Sequence, residues 1–170
     1  MINYIQLFKS IPPEIATMII AMLPIAELRV SIPVALGGYK LSTISALFWS
    51  ILGNSISAII ILRYIGSVSD WMSRKSGVMK KFFDWLFLRT RHKLNDKYIK
   101  YGSIALTIFV AIPLPMTGAW TGSLAAFLLG IPPRKAFWLV FAGIIIAGII
   151  VTIATKFGMF GFGLIGRYNY

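Results

Sequence analysis

Residues 24–33 read Pro-Ile-Ala-Glu-Leu-Arg-Val-Ser-Ile-Pro. This stretch decides the fold because it places two charges, Glu27 and Arg29, between prolines in an apolar part of the chain. The preceding apolar run, residues 15–23, is much shorter than the ~20 residues that a helix needs to cross a bilayer. We therefore predict a re-entrant helical hairpin over residues 12–38, which enters the membrane, turns and leaves on the side of entry.

The composition of the whole chain predicts an integral membrane protein. Hydrophobic residues make up 58% of the 170 residues and charged residues only 13%, and the mean hydropathy is +0.80. A soluble domain has roughly a quarter of its residues charged. The net charge of +12 fits basic loops beside anionic lipid better than nucleic-acid binding, so we expect membrane lipids as partners and no nucleic acid.

The residue inventory argues against common catalytic centres. The chain has no cysteine, one histidine and five scattered acidic residues. Thiol chemistry is excluded, and neither a zinc site nor a paired-carboxylate site is indicated. We expect no enzyme activity, no metal and no cofactor.

Two longer apolar runs predict full transmembrane helices at residues 41–64 and 136–155. The Gly53-Asn54-Ser55 triplet inside the first suits close helix packing or a polar lining. Between the two spans, residues 66–100 carry nine basic and three acidic residues, with apolar residues at helical spacing. We predict a basic amphipathic helix on the membrane surface there, and the positive-inside rule places this connection in the cytoplasm.

The pattern of the first half recurs in the second. A short apolar run, a break rich in proline and glycine, and another short run predict a second re-entrant hairpin over residues 103–131. Interrupted short segments at matching positions in two halves are typical of inverted-repeat transporters. We expect one all-α membrane domain over residues 1–170, with halves at 1–65 and 101–160 and a tail at 161–170.

The first break contains the candidate residues that carry charge. An ionised carboxylate inside hydrocarbon must be paired, protonated or hydrated, so Glu27 with Arg29 is a candidate site for proton or substrate binding, flanked by Pro24 and Pro33. The alternative is that both charges lie at the interface and extend to water, with no functional role.

The second break is uncharged. Its candidate residues interrupt the helix or offer hydroxyl and backbone groups: Pro113, Pro115, Thr117, Gly118, Trp120, Thr121 and Gly122. Freed backbone groups at such a break can bind an anionic head group or a cation. The alternative is a tightly packed helix break whose hydroxyls satisfy the local backbone, with Trp120 filling space.

Residues 27–33 and 112–122 together resemble the paired signature of the putative small multidrug export proteins, over nearly the whole chain. That family is similar to the DedA proteins, whose fold has two re-entrant hairpins in inverted repeat and which are associated with proton-dependent transport and lipid movement. The resemblance implies Glu27 and Arg29 as the functional pair of the first hairpin. The second hairpin lacks the basic residue of the DedA pattern.

The leading hypothesis is a multi-pass cell-membrane transporter with two facing hairpins, coupled to protons through Glu27. The alternatives are a lipid scramblase or flippase of DedA type and a non-transporting protein that organises the membrane through its basic helix. Because two full spans shield two hairpins poorly from lipid, we expect a homodimer or a higher oligomer.

Overall fold

The computed structural model describes residues 8, 10–75, 77, 96–114 and 117–167. Within these residues the regular structure is helical. The helices are α1 (Pro13–Met22), α2 (Glu27–Pro33), a π-helical turn (Val34–Gly38), α3 (Thr43–Lys75), α4 (Asp96–Ala111), α5 (Ala119–Leu128) and α6 (Pro133–Arg167). The prediction of an all-α chain is confirmed for the described residues.

The chain forms two compact units. One contains Met1–Ile56 with Ile144–Tyr170, and the other is Ser57–Gly143. The first unit therefore holds α1, α2, the first part of α3 and the second part of α6. The second holds α4, α5 and the remaining parts of the two long helices.

In the first unit, α1 and α2 are short helices that pack against each other. Pro13 occupies the first turn of α1, where its missing N–H is not needed, and Glu14 meets the positive end of the helix dipole. With 10 residues, α1 is about 15 Å long, half the thickness of a hydrocarbon core. The helix α2 ends at Pro33, and the chain continues as the π-helical turn. Proline has no N–H to donate to the carbonyl four residues earlier, so the α-helical hydrogen-bond pattern is interrupted there.

In the second unit, α5 is delimited by two glycines. Gly118 precedes the helix with φ of 148°, a conformation that side chains rarely adopt. Gly130 follows it with φ of 66°, and the N–H groups of Gly130 and Ile131 bond to the carbonyls of Phe127 and Ala126. This is a Schellman motif, which satisfies the last carbonyls of the helix.

The two long helices are apolar enough to cross a membrane. Their most apolar windows have mean hydropathies of 1.8 in α3 and 2.7 in α6, and only 39% and 44% of those windows are buried. Exposed isoleucines lie along both helices at 59, 60, 149, 150 and 153. Apolar surface of this extent fits contact with lipid better than contact with water.

Several helix boundaries differ from the expected ones. α3 continues 11 residues past Tyr64, through the start of the predicted surface helix, because Arg74 and Lys75 are good helix formers and face the negative end of the dipole. α6 begins at Pro133 and extends beyond residue 155. α5 begins at Ala119, so Trp120 to Gly122 lie in a helix and not in the turn. Of the predicted basic connection, residues 76 and 78–95 lie outside the described residues, and its last five residues, 96–100, form the start of α4.

Candidate functional site

The first hairpin places Glu27 at the first position of α2. The connection before it runs from Leu23 to Ala26, and the Glu27 N–H bonds back to the Leu23 carbonyl at 3.1 Å. Glu27 has φ of 46°, in the left-handed region that residues with a Cβ avoid. Backbone strain of this kind is found at functional sites, where the surrounding structure holds it in place.

The Glu27 carboxylate is buried and paired with a guanidinium. Glu27 is 5% exposed, and its Oε2 lies 3.8 Å from Arg29 Nη2. The Arg29 side chain is 24% exposed, so the cation lies nearer the surface of the unit than the anion. The sequence placed this pair in the turn, whereas the structure places both residues on the first turn of α2.

The two prolines of this candidate site lie on either side of the pair. Pro24 is exposed in the connection, and Pro33 is half-buried at the end of α2. Pro24 ends α1 and Pro33 ends α2, so the two prolines confine the charged pair to a single short helix. Beyond the π-helical turn, burial raises the pKa of the Tyr39 phenol above its ordinary value.

A second buried polar contact joins this hairpin to α3. Ser31 Oγ donates to Ser50 Oγ at 2.8 Å, and both residues are fully buried. Asn54, one turn further along α3, is 1% exposed, and its Oδ1 has no hydrogen-bond partner among the described groups. Ser31 was not predicted as a site residue, although its place in the Glu-Leu-Arg-Val-Ser motif, one turn after Glu27, was an available signal.

Gly53 fixes the approach of α1 to α3. A Cβ at Gly53 would collide with the carbonyl oxygen of Met18 and lie 3.0 Å from the Ala21 Cβ. Of the two interpretations of the Gly53-Asn54-Ser55 triplet, close helix packing therefore holds for Gly53. Ser55 donates to the Ile51 carbonyl of its own helix at 2.7 Å.

In the second hairpin, the hydroxyl of Thr117 organises the helix break. It lies 2.6 Å from the Ile112 carbonyl and 2.8 Å from the Leu114 carbonyl, and it accepts from the Leu114 N–H at 3.1 Å. The Ile112 and Leu114 carbonyls and the Leu114 N–H, which lie beyond the end of α4, are thereby paired locally. The Thr117 hydroxyl thus satisfies local backbone, as the alternative expected, and a ligand-binding role for it stays a prediction.

The other described candidate residues of this break differ in how closely they are packed. Gly122 packs so closely on Val110 of α4 that a Cβ would collide with it. Thr121 reaches the Gly118 carbonyl only at 3.5 Å, and Trp120 is half-buried on α5. Pro115 lies outside the described residues. A ligand-binding role for these residues stays a prediction.

A known protein family matches most of this chain. The family model described as Putative small multi-drug export protein matches residues 27–150, and the matched segment begins at the buried Glu27. No curated protein and no solved structure matches the chain. The family and the two apolar helices together indicate a membrane location and a transport role. The chain belongs to the Putative small multi-drug export protein family.

Proposed function

We propose that this protein is a multi-pass membrane transporter that couples movement of its substrate to protons through Glu27. The observation that supports this most directly is the carboxylate itself, 5% exposed and 3.8 Å from Arg29, in a chain of a membrane export family. Ionisable residues inside membrane segments are rare because they are unfavourable there, and they mark ion and substrate pathways.

The pair has the chemistry that coupling needs. Burial disfavours the ionised carboxylate, and the nearby guanidinium favours it. A cationic substrate that competes with Arg29 for the carboxylate, or a proton that neutralises it, changes this balance. Binding of either one therefore alters the affinity for the other, which is the basis of exchange.

We further propose that the two hairpins are re-entrant and belong to an inverted repeat. Two matched contacts support the repeat. Gly143 stands 90 positions after Gly53. A Cβ at Gly143 would lie 2.6 Å from the Val110 Cβ and 2.9 Å from the Thr107 carbonyl of α4, as one at Gly53 would meet α1. Each long helix thus carries, ten positions after its first residue, a glycine packed on the first short helix of the preceding hairpin.

A second contact follows this offset to within one residue. Ser31 of α2 bonds to Ser50, three positions before Gly53, while a Cβ at Gly122 of α5 would lie 3.8 Å from Val140, three positions before Gly143. In both units the second short helix approaches the long helix at the same register. That the two hairpin tips face each other stays a prediction.

The coupling is tested in proteoliposomes that hold an internal pH dye and an outward or inward pH gradient. Ethidium, a lipophilic cation, serves as the transport probe. We expect gradient-dependent ethidium movement with the natural chain and at least about tenfold less with Glu27→Gln, because a neutral amide neither exchanges a proton nor pairs with a cation. The matched control is Glu14→Gln, which removes the half-buried carboxylate of α1.

The outcomes separate the hypotheses. Normal proton and ethidium movement by Glu27→Gln contradicts coupling through Glu27. Equal loss in Glu14→Gln shows a general effect of charge removal and also contradicts it. Redistribution of labelled lipid between leaflets without any gradient supports the alternative of a lipid scramblase, and absence of all movement supports a membrane-organising role.

Assembly and orientation are part of the proposal. We propose a homodimer or higher oligomer in which exposed isoleucines of α3 and α6 are covered by a second copy, and a cytoplasmic connection between α3 and α4. Light scattering of the purified chain gives the oligomeric mass. Since the chain has no cysteine, single cysteines introduced after residue 66 report their side of the membrane by labelling with an impermeant maleimide.

A further inference from the structure

The second unit contains a groove of about 400 Å³ between parts of the two long helices. α3 contributes Leu62 and Arg63, and α6 contributes Arg134, Phe137 and Trp138. Its volume lies within the range of sites that hold small molecules. The groove belongs to the unit that does not contain Glu27, so the inference is independent of the proposed coupling chemistry.

Positive charge in this groove comes from two separate helices. The exposed guanidinium groups of Arg63 and Arg134 both line it. Within the described part of the chain, neither has a carboxylate within ion-pair distance. Arg134 and Lys135 also stand in the first turn of α6, where the helix dipole disfavours cations. The groove therefore combines uncompensated positive charge from two helices with an otherwise apolar lining.

The remainder of the groove is apolar and aromatic. Trp138 is 66% exposed, and its ring lies 5.4 Å from that of Phe137 and 6.0 Å from that of Phe141. Tryptophan is enriched where membrane meets water, because its ring is apolar and its N–H is polar. A ligand that fills this groove needs an anionic end and a hydrocarbon body.

We propose that this groove binds an anionic phospholipid, with the phosphate held by Arg63 and Arg134 and an acyl chain lying along Leu62 and Trp138. Guanidinium groups form bidentate hydrogen bonds with phosphate oxygens. A free phosphate ion leaves the apolar wall unused, and a zwitterionic head group brings a cation towards two arginines. Charge and shape together select the anionic lipid.

The test measures thermal unfolding of the purified full chain in a neutral detergent. Three probes are titrated: short-chain phosphatidylglycerol, phosphatidylcholine of the same chain length, and inorganic phosphate. We expect phosphatidylglycerol alone to raise the unfolding temperature with saturation, as a ligand of the native state does. Equal stabilisation by phosphatidylcholine contradicts selectivity for an anionic head group. Equal stabilisation by inorganic phosphate contradicts the proposal that the ligand is a lipid.

Matched variants locate the site. Arg63→Gln with Arg134→Gln is expected to weaken phosphatidylglycerol binding by about 30-fold, from the contribution of each basic residue near a lipid phosphate. Arg74→Gln with Lys75→Gln removes the same charge from the end of α3 and is expected to change binding by less than about twofold.

Equal weakening in both double variants means diffuse attraction to a basic surface and overturns the groove as the site. If the double variant Arg63→Gln with Arg134→Gln does not fold, Arg63→Lys with Arg134→Lys replaces it. That variant keeps the charge and removes the bidentate geometry. Undiminished binding by a folded variant of either kind contradicts the proposal.

Discussion

Ser31 of α2 donates a 2.8 Å hydrogen bond to Ser50 of α3, and both side chains are completely buried. The bond connects the helix that begins with Glu27 to a helix long enough to cross the membrane. Because α2 has only 7 residues, it depends on such contacts to keep its position and so to hold the charged pair in place.

We expect a double-mutant cycle of Ser31→Ala and Ser50→Ala to give a coupling of about 1 kcal/mol in the free energy of unfolding, the usual net contribution of a buried hydrogen bond. Thermal unfolding in detergent measures it. Ser55→Ala is the control: its hydroxyl bonds within its own helix, so pairing it with Ser31→Ala is expected to give no coupling. A coupling energy of zero between Ser31 and Ser50 contradicts a stabilising role for this hydrogen bond.

The packed glycines give a prediction with internal controls on both long helices. A methyl group at Gly53 or Gly143 meets the neighbouring short helix, whereas one at Gly66 or Gly158 meets nothing within 4 Å. We expect Gly53→Ala and Gly143→Ala to destabilise the protein by about 1–3 kcal/mol through overpacking.

The control variants, Gly66→Ala and Gly158→Ala, are expected to unfold at the natural temperature or above it, because alanine favours the helix more than glycine does. Unfolding in detergent, followed by circular dichroism, orders the four variants. Equal destabilisation of the packed and open positions would falsify the matched packing of the two units.

The backbone strain at Glu27 predicts an unusual order of substitutions. With φ of 46°, glycine is easier to accommodate than alanine, so Glu27→Gly should be about 1 kcal/mol more stable than Glu27→Ala. At Glu14, in the first turn of α1, the order should reverse, since alanine is the better helix former. Both comparisons remove one carboxylate, so the difference isolates the backbone. If the alanine variant is the more stable one at both positions, the backbone at Glu27 is not strained.

Removal of two hydroxyl groups in the second unit is expected to have different effects on the free energy of unfolding. Thr107 Oγ1 lies 3.2 Å from the Leu139 carbonyl of α6 and 3.3 Å from the Ser103 carbonyl. Thr107→Val should therefore lower the free energy of unfolding by about 1 kcal/mol. Ser123 Oγ is fully buried and has no partner among the described groups, so Ser123→Ala should be neutral or stabilising. Unfolding temperatures of the two variants, measured together, decide. A large loss at Ser123 would reveal a partner for its hydroxyl.

Prolines and apolar length made the helices predictable. Pro24 and Pro113 mark the two breaks, and the long apolar runs became α3 and α6. Helix ends were less predictable: the residues after Tyr64 end the apolar run, with Gly66, Ser67 and Asp70 among them, but they include no proline that would end the helix. The start of α5 was missed because Gly118, with φ of 148°, caps the helix just before Ala119, and the weak helix formers Thr121 and Gly122 lie within the helix.

The candidate site was predictable in its charges and not in its packing. Glu27 and Arg29 stand out in an apolar chain, but which groups face them depends on the three-dimensional structure. The Arg63 and Arg134 groove was missed because 70 positions separate the two residues and each reads as an ordinary basic residue at the end of an apolar run. The repeat was predicted from prolines, and the packing of Gly53 and Gly143 on short helices supports the proposed repeat more directly.

The position of these glycines has a consequence for biosynthesis. Met18 leaves the ribosome before Gly53, and Val110 before Gly143, so each hairpin is made ahead of the long helix on which it packs. At a synthesis rate of about 5–20 residues per second, a nascent hairpin waits for seconds without its partner. For the re-entrant hairpins proposed above, the short helices would expose during that interval polar backbone ends that lipid cannot satisfy. Such hairpins would need shelter from the membrane insertion machinery until their long helices arrive, and a ribosome that stalls before residue 143 would leave the second one without its packing partner.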